Sequence, residues 1–130
     1  MTVVTVSSTD TVTRLLQVLA EHRIGAVVVS DDGSSIAGIV SERDVVRALT
    51  DQPDLLGRPV ASIMTSEVFT CTAEMSVEDL ADLMTDHRIR HVPVVKDEAM
   101  VSIVSIGDVV KYRISQLQSE RDHLADYLRQ

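Results

Sequence analysis

Aromatic residues are scarce in this chain: they make up 2% of its 130 residues, as Phe69, Tyr112 and Tyr127 with no Trp. That is too few for a stacking platform along single-stranded nucleic acid, and it leaves the core to Val, Ile, Leu, Ala and Met. Positive charge is short as well, with 12 Lys and Arg against 20 Asp and Glu and a formal net charge of −8. Sequence-independent nucleic-acid binding depends on neutralising phosphates and is not expected. A small anion held in a local basic or amide-lined pocket stays open. Cys71 is the only cysteine, so the chain forms no internal disulfide and no Cys-based zinc site. The start, Met-Thr-Val-Val-Thr-Val, lacks the basic and long apolar segments of a secretion signal. Apolar runs such as Ala26–Val29 are too short to cross a bilayer. A cytoplasmic protein with no membrane partner is the expectation. Neither Gly-x-x-x-x-Gly-Lys-Ser/Thr nor Gly-x-Gly-x-x-Gly occurs. Cys71 falls in an expected strand with no orienting His–Asp pair, so it reads as a buried structural thiol and no catalytic residue is assigned.

What the sequence does contain is itself, twice. His22-Arg23-Ile24 returns as His87-Arg88-Ile89, 65 positions on. The same offset carries Val12, Leu15, Leu16 and Leu19 to Val77, Leu80, Ala81 and Met84. Both sets follow i, i+3, i+4, i+7, one face of a helix. Thr11 and Ser76 precede them and suit the N-cap. Strand-like runs follow, Ala26–Val29 and His91–Val95, then turns at Ser30–Gly33 and Lys96–Glu98, then second strands at Ile36–Val40 and Met100–Val104. The second turn is one residue shorter, so Ser41 and Asp44 match Ser105 and Asp108 at an offset of 64. A second helix begins there in each copy, at Glu42 and at Gly107. With leading strands at Val3–Val6 and Val68–Cys71, each copy reads βαββα. Residues 1–50 form the first module, 51–64 a connector, 65–112 the second module and 113–130 a C-terminal amphipathic helix. In that last helix Ile114, Leu117, Leu124 and Leu128 mark a narrow apolar stripe. Neither copy easily buries its apolar faces alone. The economical α/β fold packs them face to face about a pseudo-twofold axis, with two equivalent sites in the cleft.

Ser-x-x-Asp stands at both strand-to-helix junctions, in Gly38-Ile39-Val40-Ser41-Glu42-Arg43-Asp44 and in Ser102-Ile103-Val104-Ser105-Ile106-Gly107-Asp108. The plain reading is a capping box. The functional reading is that the helix start offers N–H groups and a positive dipole end to a phosphate, while the Asp carboxylate accepts ribose hydroxyls. The two are compatible.

The repeat, the element order and Gly-hydrophobic-hydrophobic-Ser-x-x-Asp together resemble the cystathionine-β-synthase (CBS) domain, two of which pair into a Bateman module. The resemblance covers residues 3–112, and Arg90-His91-Val92-Pro93-Val94 is similar to the family's second-strand signature. It implies a stand-alone regulatory pair that binds AMP, ADP or ATP, needs no cofactor and forms a disc-like homodimer. Residue by residue, it implies that Asp44 and Asp108 hold ribose hydroxyls while Ser41, Ser105 and Arg43 face phosphate. Val6, Ile24, Ala26, Arg90, His91 and Val92 would line the base pocket. Ser102 departs from the motif Gly, and Gly25-Ala26 stands where the other copy has Arg90-His91, so the two sites are expected to be unequal. The basic Arg90 and His91 are assigned to the site of the second Ser-x-x-Asp, and Arg43 to the first. With no effector domain in view, the signal would pass to a separate protein. The rival reading is a ligand-free dimerisation scaffold in which both Ser-x-x-Asp motifs are only caps. His22 and His87 end their helices and are expected to face terminal carbonyls rather than a metal.

Overall fold

The computed structural model describes residues 3–128, with side-chain surroundings through residue 118. The first copy runs β1 (Thr5–Val6), α1 (Val12–His22), β2 (Ala26–Val29), β3 (Gly38–Ser41) and α2 (Glu42–Asp51). The second runs α3 (Val77–His87), β4 (His91–Lys96), β5 (Ala99–Ser105) and α4 (Ile106–Leu128). The Thr11 hydroxyl accepts the Arg14 N–H at 3.1 Å, and the Ser76 hydroxyl accepts the Asp79 N–H at 3.1 Å. Helix α1 buries Val12, Leu15, Val18 and Leu19. Helices α1 and α3 both end on a left-handed arginine, Arg23 and Arg88, each at φ 54°. Glycine is usual there, and a side chain costs about 1–2 kcal/mol. Arg88 and Arg23 each line one of the two cavities described below.

In the first copy β1 runs parallel to β2, and β2 pairs antiparallel with β3. In the second, β4 and β5 form the matching hairpin. Its tight turn holds Asp97 and Glu98 at φ 53° and 66°, the geometry that closes two-residue hairpins. The expected leading strand Val68–Cys71 does not form. Only Cys71 bridges to Val94, its N–H donating to Pro93 O at 3.0 Å. A further parallel rung at Phe69 would need the N–H of residue 93, and proline has none. The equivalent position in the first copy is Val28, which pairs with Thr5. The chain at Val68–Phe69 is thereby freed from the sheet.

Two aliphatic clusters result. The first joins Val6, Val12, Leu15, Leu19, Val27 and Val40, and the connector adds Leu55 and Val60, both fully buried. The second is smaller and centres on Cys71, Leu80, Met84, Val92 and Val109. The connector is therefore built into the first copy. The Val12 N–H donates to Arg58 O at 3.0 Å and the Val60 N–H to Asp10 O at 2.8 Å. Thr65 then pairs with Ile39 as an extra strand rung.

That rung explains Gly38 and its replacement by Ser102. A Cβ on Gly38 would sit 2.8 Å from Met64 Sδ and 2.8 Å from the Thr65 carbonyl oxygen. Close approach of the connector, rather than backbone conformation, demands glycine. Gly38→Ser, which writes the second copy's residue into the first, is expected to cost about 1–3 kcal/mol as a lowered urea midpoint. An unchanged midpoint would mean that the connector yields freely.

The terminal segment continues α4 rather than starting anew, giving one helix of 23 residues. Ile114 and Leu117 of the expected stripe are exposed. The side chains of Leu124 and Leu128 lie outside the described residues. Among the described residues no helix is long and apolar enough to cross a membrane.

Candidate nucleotide site

At the start of α2 the backbone N–H of Ser41 donates to Asp44 Oδ2 at 2.8 Å, and its hydroxyl donates to the same oxygen at 3.1 Å. The hydroxyl accepts the Asp44 N–H at 3.2 Å. Ser105 and Asp108 repeat this box at the start of α4, with 2.9, 3.1 and 3.2 Å. The capping-box reading is thus realised in both copies. It consumes one carboxylate oxygen, and Oδ1 of each Asp takes no hydrogen bond among the described residues. The first amide of each helix is also engaged, Glu42 N–H to Gly25 O at 3.0 Å and Ile106 N–H to Arg90 O at 2.8 Å. Of the first three amides this leaves the second, on Arg43 and on Gly107, to meet an anion.

Each helix start opens on a cavity, one of about 490 Å³ at Asp44 and one of about 430 Å³ at Asp108. Each cavity draws on both copies. Ser41 and Asp44 face the second copy's Val68, Phe69, Ile89 and Arg90. Ser105 and Asp108 face the first copy's Val3, Val4, Ile24 and Gly25. The opposing walls are repeat equivalents, as a pseudo-twofold requires.

Crossing changes the expected assignment of the arginines. Arg90 lies with Asp44 and Arg43 in one cavity, whereas the sequence pattern places it with Asp108. The repeat identifies equivalent residues but is silent on which helix start faces which wall. His91 and Ala26 line both cavities and form the partition between them. Burial holds the His91 imidazole below its ordinary pKa, against the opposing pull of Asp108, while Arg90 adds to the lowering and Glu42 opposes it.

Two expected wall residues lie elsewhere. Val6 pairs with Val29 inside the ladder and packs in the first core, so the cavity reaches Val3 and Val4 instead. Val92 alternates inward from His91 and is fully buried in the second core. Conversely, Phe69 was not foreseen. It is 41% exposed, lines the Asp44 cavity and stacks on His87 with ring centroids 3.8 Å apart. Arg23, Arg47 and Arg88 were missed too, although their places in the repeat were visible. Cys71 is buried and burial raises its thiol pKa, which suits a packing role. Among the described residues no three His, Cys, Asp or Glu side chains gather as a metal site.

The family model of the CBS domain matches residues 1–51 and 60–115. The chain is 40% identical over 124 residues to the CBS domain-containing protein CBSX3, mitochondrial, of Arabidopsis thaliana, covering 92% of itself but only 60% of that protein. Its fold superposes on a CBS-domain containing protein from Agrobacterium tumefaciens with a TM-score of 0.82 at 40% identity, over 85% of this chain and 89% of the other. A CBS domain protein from Pyrobaculum aerophilum, complexed with AMP, aligns at 34% identity and a TM-score of 0.75 over 83% of each chain. A βαββα unit repeated without its leading strand, crossed cavities and paired Ser-x-x-Asp helix starts accompany these matches, and the chain belongs to the CBS domain family as a tandem pair.

Proposed function

We propose that this chain is a regulatory module that binds an adenosine nucleotide in its crossed cavities and signals to a separate effector protein, without catalysing a reaction. The observation that carries the reading is the pair of capping boxes, each leaving one carboxylate oxygen and one helix-start amide unengaged beside a cavity that the aspartate lines. Both cavity volumes fall in the range of about 300–1,000 Å³ typical of small-molecule sites. Ribose hydroxyls donate to Asp44 or Asp108 Oδ1, and a phosphate, where the ligand carries one, meets the helix-start amide with the adjacent serine. The AMP complex of the Pyrobaculum relative supports the ligand class. Because each cavity is made of both copies, a bound nucleotide bridges them and favours the arrangement it binds better. A cytoplasmic setting fits this ligand.

The partner surface is repeated as well. Val46 on α2 and its equivalent Val110 on α4 are 66% and 49% exposed. Such paired apolar residues on equivalent helices fit a homodimer with a second copy of the chain, and sedimentation should give twice the monomer mass.

A thermal-shift series with AMP, ADP and ATP tests the sensor reading. Ligand at a hundredfold excess over its Kd stabilises the fold by about 2.7 kcal/mol, seen as a rise in Tm. No shift at millimolar concentrations of any of the three would favour the scaffold reading, which the completed capping boxes also accommodate.

A further inference from the structure

Crossing of the two copies loads nearly all the basic side chains onto one cavity. Arg43 and Arg47 come from α2 of the first copy, and Arg88 and Arg90 from the turn after α3 of the second. Against these four stand three carboxylates, Glu42, Asp44 and Glu67. The Asp108 cavity has only Arg23 and Asp108 as formal charges. Its other contacts are aliphatic or small apart from the shared His91, and Gly25 stands where the first cavity has Arg90. The aromatic wall is unequal too, because Phe69 of one cavity is Val4 of the other.

We infer that the two cavities divide adenosine ligands by charge. The Asp44 cavity takes the phosphorylated ligand, favouring two or three phosphates over one. The Asp108 cavity takes an adenosine that carries no phosphate. The inference rests on the adenosine-binding reading above and deepens it by assigning a ligand class to each site. Its physical basis is that exposed guanidinium groups converging on one opening attract a polyanion in a salt-dependent way. A cavity with one Arg and one Asp offers no such attraction, while its carboxylate still accepts ribose hydroxyls.

Isothermal titration of the full chain with ATP and with adenosine, at low and high salt, tests the division. One ATP per chain is expected, with affinity falling at least tenfold in the double variant Arg43→Gln/Arg90→Gln and falling with added salt. These side chains are exposed, so the fold should persist, as a matching circular dichroism melt would verify. Adenosine should bind with an affinity unaltered by that double variant and insensitive to salt, and weakened at least tenfold by Asp108→Asn. ATP lost through Asp108→Asn and untouched by the arginine substitutions would overturn the division while leaving adenosine binding standing. So would both ligands competing for one site. Binding of neither ligand would overturn the division together with the reading beneath it.

Discussion

Asp44→Asn is expected to weaken binding of an adenosine nucleotide by roughly 10- to 100-fold, because a hydrogen bond to a charged group contributes about 1.5–3 kcal/mol. The choice of Asn isolates the ribose contact from the cap. The side-chain oxygen can still accept the Ser41 N–H, which lies 2.8 Å from Asp44 Oδ2, so the helix start should survive. Loss of the carboxylate instead removes the charged acceptor at Oδ1. A ligand control sharpens this. The 2′-deoxy nucleotide should bind the native chain more weakly than the ribonucleotide, yet the two should bind Asp44→Asn about equally, since the two changes remove one shared interaction. Calorimetry reads both effects. Equal discrimination against the deoxy ligand in both proteins would place the ribose elsewhere.

Leu15→Ala is expected to cost about 3 kcal/mol, within the range for large-to-small changes at fully buried sites. Leu15 is 0% exposed at the centre of the larger cluster, where α1, the β1–β2–β3 sheet and the connector meet. Domains of this size hold only about 5–15 kcal/mol in total, so one truncation removes a large share. Urea unfolding should show a lower midpoint with an unchanged slope. A loss below about 1 kcal/mol would mean that the neighbours collapse into the space. Exposed Leu117, by contrast, should tolerate truncation in a monomer.

These two predictions draw on different parts of what the sequence reveals. The repeat was legible because helix faces such as Val12, Leu15, Leu16 and Leu19 survive in type at Val77, Leu80, Ala81 and Met84. Periodicity reports burial in one element at a time, so the helices, both hairpins and the Ser-x-x-Asp helix starts were within reach. The crossing of the copies was not, because two equivalent walls and two equivalent helix starts can be matched either way on sequence alone. That ambiguity sent Arg90 to the wrong helix start, while His91 borders both. The loss of the second leading strand was encoded in Pro93, but only the parallel register shows that its missing N–H falls on the rung Phe69 would need. Val6 and Val92 look like wall residues by their neighbourhood. Their strands turn them inward, and a one-residue change of parity separates Val92 in the core from His91 in both cavities. The role of Gly38 was hidden for a similar reason. The atoms it must avoid belong to the connector, at Met64 and Thr65.

Helix starts that grip a sugar and its phosphate across the junction of the copies are the core of this reading. A crystal structure of the chain grown with saturating AMP tests this most directly. Nucleotide density is expected in the Asp44 cavity, with both ribose hydroxyls on Oδ1 of Asp44 and the phosphate against Ser41 and the Arg43 amide. Empty cavities at saturation, or a nucleotide seated away from both carboxylates, would contradict it.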